Sequence, residues 1–228
     1  MLEHACAQAA DWRERGYALD ISVNVSARQL EHDALITEVR TALENSGLDP
    51  ATLILEITET VLMRKPDATA RLLGELKALG IRIAVDDFGT GYSSLAFLRR
   101  FSVDSLKIDR SFIRGLEIAA DTNAQFPPDA LNDRTFMHSL TRANEAQTLT
   151  HTLIQLGKAL GLRTLAEGVE QPSQVRQLQH EGCDLAQGFL FAHPLTPDAV
   201  EAFLDERAAG GPQSVGQHTD SDTRALTT

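Results

Sequence analysis

The 228 residues carry 21 Lys and Arg against 32 Asp and Glu, a net charge of −11, with 43% hydrophobic residues and two cysteines. An acidic balance of this size argues against a protein whose affinity rests on a broad phosphate-binding surface, so no DNA or RNA partner is expected. Cys6 and Cys183 are too few for a disulfide framework and lack metal-ligand spacing, and no apolar run is long enough to span a bilayer.

In chain order, "MLEHACAQAADWRERG" reads as an amphipathic helix without the basic-then-apolar order of a signal peptide, which predicts a cytoplasmic protein. From there to about residue 205, short apolar runs alternate with helical stretches, the signature of a parallel α/β architecture. Six runs read as strands: "LDISVNVS" at 19–26, "LILEITET" at 53–60, "IRIAVDDF" at 81–88, "SLKIDRS" at 105–111, "RTLAEGV" at 163–169 and "LAQGFLF" at 185–191. The stretches "DALITEVRTALENSG", "DATARLLGELKALG" and "THTLIQLGKALG" each close on a glycine suited to a helix C-terminal cap. Residues 117–144 hold Pro127-Pro128 and no sustained periodicity, so they read as an inserted surface loop with room for a short helix. Residues 209–228 are small and polar, the composition of a disordered tail behind a single domain of residues 1–208.

Polar residues recur toward the end of each run: Asn24, Glu56 with Glu59, Asp86 with Asp87, Lys107 with Asp109, Glu167 with Glu170, and Gln187. In a (β/α) barrel the C-terminal strand ends converge on one mouth, where the chemistry of such folds sits. Any one of these residues alone is more often a helix cap or a solvated loop residue; six successive recurrences point to one polar cluster. Glu56, Asp86, Asp87 and Glu167 with the Asn24 amide oxygen form an all-oxygen set that suits Mg²⁺ or Mn²⁺ better than zinc or copper. The adjacent Asp86 and Asp87 repel each other unless something positive lies beside them. Two cations roughly 3.5–4 Å apart, bridged by one aspartate, would relieve that repulsion and build a site for phosphodiester hydrolysis. Lys107 beside the attacking water or the phosphate oxygens would offset developing charge, and a plain ion pair with Asp109 or Glu167 is the equal alternative.

The blocks "SVNVSARQL", "LILEITET", "VDDFGTGYSSLAFLRRFSVDSLKIDRSF", "LAEGVE" and "GCDLAQGFLF" resemble the successive signature blocks of the EAL family of cyclic di-GMP phosphodiesterases, over roughly residues 1–207 apart from the insertion. The resemblance implies a modified TIM barrel that uses two Mg²⁺ or Mn²⁺ ions to hydrolyse cyclic di-GMP, a bacterial second messenger, to linear pGpG. It implies that Asn24, Glu56, Asp86, Asp87 and Glu167 are metal ligands and that Lys107 contacts the catalytic water, with Asp87 and Glu167 sharing in catalysis. Glu59 and Glu170 fall on acidic residues that support the metal site, Gln187 on a glutamine near the substrate, and Asp109 is assigned a supporting place beside Lys107.

The chain contains no Glu-Ala-Leu run. In the family that motif supplies a further metal ligand, and a nearby arginine holds the substrate phosphate. The expectation is therefore an N-terminally truncated barrel with about six of eight strands, weakly active or inactive. A truncated phosphodiesterase and a degenerate, non-catalytic module binding cyclic di-GMP or a protein partner both stay open, as do a homodimer and an upstream sensory or cyclase domain.

Overall fold

The computed structural model of the chain describes residues 1–31, 34–90, 98, 100–116, 134–208 and 224–227. The longer helices are α1 (Leu2–Glu14), α2 (Ala34–Ser46), α3 (Pro66–Ala78), α4 (Arg134–Ala159), α5 (Pro172–Glu181) and α6 (Pro197–Ala208). Between them run β1 (Leu19–Asn24), β2 (Leu53–Thr58), β3 (Arg82–Phe88), β4 (Ser105–Ile108), β5 (Arg163–Ala166), β6 (Leu185–Ala186) and a C-terminal β7 (Arg224–Thr227). Hydrogen-bonded neighbours run β3-β2-β1-β7 in one group and β6-β5-β4 in another. The six expected strands all form, in an α/β arrangement of parallel pairs.

The chain divides into two compact units, and the division falls inside β3, between Asp86 and Asp87. In the first unit β1, β2 and β3 are near-continuous apolar runs. Leu53, Leu55, Ile57, Ile83 and Val85 are fully buried, as strands covered on both faces must be. Helix α3 starts on Pro66, whose missing N–H costs nothing in a first turn, and sends Leu73 and Leu76 into this core at the spacing of one helical face. Asp20, buried on β1, forms an ion pair with Arg82. Asp104 receives the Ile83 amide at 2.7 Å and the Lys77 ammonium at 2.6 Å, so the residue just before β4 fixes the start of β3.

The second unit repeats that device. Asp184, just before β6, accepts from the Thr164 backbone N–H at 2.7 Å and from its hydroxyl at 2.9 Å. Its core joins Ile108, Ile113, Ile154, Ala166, Val169, Val175 and Leu178.

Several boundaries differ from the expectation: β4 ends at Ile108 and β5 at Ala166, each three residues early, and three further differences have a physical reason. Strand β6 ends after Ala186, because the following Gly188 brings the chain back against Val169. Helix α4 begins at Arg134, inside the segment read as an inserted loop; its first turns contain good helix formers such as Arg, Met and Leu. The rest of that segment, 117–133, lies outside the described residues. Arg224–Thr227, within the expected disordered tail, instead pairs in parallel with β1, which offers unpaired backbone groups that no local pattern announces.

Candidate metal centre

In the first unit Asn24 and Glu56 are register partners on β1 and β2, and the Val25 N–H donates to the Glu56 carbonyl at 2.8 Å. Glu56 is also in register with Ala84 of β3. Side chains two apart on a strand share a face, so Asn24, Glu56 and Asp86 project from the same side of the sheet. Glu56 is buried and Asn24 exposed. Glu59, also buried, opens the one-turn helix Glu59–Leu62 that follows β2 directly.

In the second unit Lys107 of β4 is only 3% exposed, and its Nζ lies 2.7 Å from Oε1 of Glu167. Lys107 is in register with Leu165, which puts Glu167, two residues on, on the lysine's face. Glu167 and Gln187 both stand past the last residues of their strands. The ladder nevertheless continues through them: Glu167 N–H donates to Ile108 O at 3.1 Å and Gln187 N–H to Ala166 O at 2.8 Å. A Cβ on Gly188 would sit 2.2 Å from the Val169 carbonyl oxygen, so only glycine permits this close approach beside Gln187.

Strand alternation would send Asp86 and Asp87 to opposite faces, but the backbone leaves the strand conformation at Asp87. Asp87 adopts φ +53°, a left-handed conformation that aspartate tolerates better than most residues. Its carbonyl is held by the Thr90 hydroxyl at 2.8 Å. With the chain turned this way, one carboxylate oxygen of Asp87 and one of Glu167 lie within 4.8 Å of each other. Two carboxylates at such a separation repel, and a hard cation is the natural counter-charge for an all-oxygen donor set.

Two of the residues singled out in the sequence are engaged elsewhere. Asp109 caps the short helix Arg110–Arg114 by accepting from the Ser111 N–H at 2.9 Å. Burial alone would raise its carboxyl pKa, but hydrogen bonds from Ser111 and Arg110 outweigh that and hold it below the usual range. Glu170 is exposed and gives its backbone N–H to Oε1 of Gln174 at 2.8 Å. Gln174 itself was not singled out by sequence reasoning. It is fully buried, also accepts from Gln171 N–H at 3.0 Å, and donates to Ile113 O at 3.1 Å, which fixes the loop after Glu167. The available signal was weak: a glutamine in the first turn after Gln171-Pro172, where a capping box forms.

The sequence matches the EAL domain over residues 1–126 and 118–194. The chain belongs to the EAL-domain family. MucR of Pseudomonas aeruginosa, named as a bifunctional diguanylate cyclase/cyclic di-GMP phosphodiesterase, is 39% identical over 203 residues, which is 89% of this chain and 26% of MucR. This EAL chain thus spans about a quarter of the length of such curated relatives. The PaMucR phosphodiesterase solved as a c-di-GMP complex aligns with a TM-score of 0.73 and 36% identity, over 87% of this chain and 71% of that one. BlrP1 of Klebsiella pneumoniae, solved with manganese and cy-diGMP, aligns with a TM-score of 0.67 and 26% identity, over 86% of this chain and 43% of that one.

Proposed function

We propose that this EAL domain acts on cyclic di-GMP in the cytoplasm, hydrolysing one of its phosphodiester bonds with water to give linear pGpG. The observation that carries the reading is the approach of Asp87 to Glu167, with Lys107 paired to Glu167, in a chain of this family. The donor set fits Mg²⁺ or Mn²⁺: all ligand atoms are oxygens, and the glutamate is already held in place by a lysine. Asp86, Asp87, Glu167, Glu56 and Asn24 are the residues that would hold two such ions. When bound, the ions supply an activated water and charge stabilisation for in-line displacement at phosphorus.

The chain's own residues do the rest. The left-handed turn at Asp87 presents its carboxylate beside Glu167. Lys107, paired with Glu167, orients the attacking water and offsets negative charge as the phosphorus–oxygen bond breaks. Gln187 is assigned to the substrate side. Glu59, Asp109 and Glu170 are assigned supporting places, Asp109 through its helix cap.

A second reading is a non-catalytic EAL module that binds cyclic di-GMP or a protein partner. On that reading the domain binds cyclic di-GMP without turning it over, or turns it over weakly. Chromatographic separation of cyclic di-GMP from pGpG, after incubation with the purified chain and Mg²⁺ or Mn²⁺, distinguishes the two. Product that disappears in Asp86→Asn supports hydrolysis. Calorimetric binding without product supports the second reading, and neither binding nor product removes both.

A further inference from the structure

Gln174 lies in the first turn of α5, and its side chain is fully buried. A buried amide is destabilising unless its donor and its acceptor both find partners, and here both do. Oε1 accepts from the backbone N–H of Glu170 at 2.8 Å and of Gln171 at 3.0 Å, while Nε2 donates to the Ile113 carbonyl at 3.1 Å. A capping box at the start of α5 accounts for the bond from Gln171 alone. The other two leave the helix. One reaches the loop that follows Glu167, and the other reaches the helix Arg110–Arg114, which opens just after β4.

These are the two segments that carry the Lys107–Glu167 ion pair. Close to the strands they are joined by the Glu167 N–H, which donates to Ile108 O at 3.1 Å. Beyond the strands they are joined through Gln174. Between these points the loop runs hard against the helix: Gly168 has φ +67°, and a Cβ there would lie 2.5 Å from the Cβ of Arg110. On its far side the loop is bonded toward β6, through the Val169 N–H to Gln187 O at 2.9 Å. Gln174 is the outer tie on the side of Lys107. Removing it lets the loop turn about the inner tie at Glu167, and a small rotation there displaces the carboxylate from the Lys107 Nζ that it now meets at 2.7 Å. Displacements of that order matter wherever charged groups must meet a reacting centre in a fixed geometry.

We propose that Gln174 is a positioning residue: by tying the loop after Glu167 to the helix after Lys107, it holds the carboxylate and the ammonium against each other. Its effect on turnover rests on the hydrolytic reading. Its effect on the ion pair needs neither metal nor substrate.

The test compares the 228-residue chain with Gln174→Met and Gln174→Glu. Methionine is unbranched and adaptable but makes none of the three bonds. Glutamate keeps the two acceptor bonds; ionised, it opposes an oxygen to the Ile113 carbonyl, and protonated it donates there as the amide does. Burial favours that protonated form as pH falls. In metal-free protein carrying ¹³C-labelled lysine, the Lys107 Cε–H signal, assigned by its loss in Lys107→Met, reports the pair. Urea unfolding sets the conditions in which each variant is folded, and kcat and KM for cyclic di-GMP are measured there with Mn²⁺.

In the parent the Lys107 signal should stand apart from those of exposed lysines. Gln174→Met should move it toward them and lower kcat about tenfold or more, with KM within about twofold of the parent. Gln174→Glu should share both changes at about pH 8 and recover toward the parent as pH is lowered to about 6. If Gln174→Met does not fold, Gln174→Glu decides by the same signal. A Lys107 signal that neither variant moves overturns the proposal, as does a raised KM with kcat unchanged. A parent that yields no pGpG removes the hydrolytic reading alone, since the Lys107 signal still decides this one.

Discussion

Lys107 and Glu167 close an ion pair of 2.7 Å at the ends of neighbouring parallel strands, with the lysine side chain 4% and the glutamate side chain 18% exposed. At that degree of burial neither group is well solvated, so each depends on the other. Lys107→Met leaves Glu167 beside Asp87 with no lysine to offset it. The expected cost is ~2 kcal/mol of stability without divalent ions, since a partly buried charge loses its partner. Turnover of cyclic di-GMP should fall by about 10²-fold or more. Urea unfolding and product chromatography on the same preparation check both.

At Asp87, conformation and charge can be separated. Asp87→Asn keeps a side chain that accepts the left-handed backbone while removing a negative charge from the cluster. In chelator this variant should be as stable as the parent or more so. Asp87→Val, β-branched at φ +53°, should lose ~1–2 kcal/mol. Added Mg²⁺ or Mn²⁺ should raise the Tm of the parent and shift Asp87→Asn much less, because only a native site that binds the ion gains from it. Thermal melts with and without metal report all three outcomes.

Gly188→Ala tests the close approach beside Gln187. Its Cβ would fall 2.2 Å from Val169 O and 2.3 Å from Val169 N, and both are backbone atoms that cannot swing away. A loss of at least ~2 kcal/mol is expected, with exchange protection falling first at Val169 and Leu190, which bond to Gln187 and Val169 across this contact.

The thiols give a pH dependence with a definite sign. Burial pushes the Cys6 thiol up to about 11 from an ordinary value of 9.0, and burial also raises Cys183. A raised pKa in the folded state means that the unfolded chain ionises first. The contribution of Cys6 is complete below pH 9 and is lost as pH rises from there toward 11. Denaturant midpoints should therefore fall between pH 9 and 11, and Cys6→Ala should flatten part of that slope while lowering stability at pH 7. Alkylation at pH 7.5 should be slow in the native state and fast in urea.

Local sequence determined much of this protein, because periodicity and composition act over a few residues. The apolar runs of β1 to β5, the glycine stops and the recurrence of Glu56, Asp86, Lys107 and Glu167 near strand ends were all legible. The parallel α/β class and the family followed from them. Tertiary structure decided what depends on residues distant in the chain. The left-handed turn of Asp87, with its carbonyl held by Thr90, is what lets this aspartate meet Glu167 against the alternation of a strand. Lys107 could have paired with Asp109 or with Glu167; register with Leu165 chose Glu167, while Asp109 turned to cap a helix. The pairing of Arg224–Thr227 with β1 was invisible for the same reason: a four-residue strand has little signal of its own, and its partner lies some two hundred residues away.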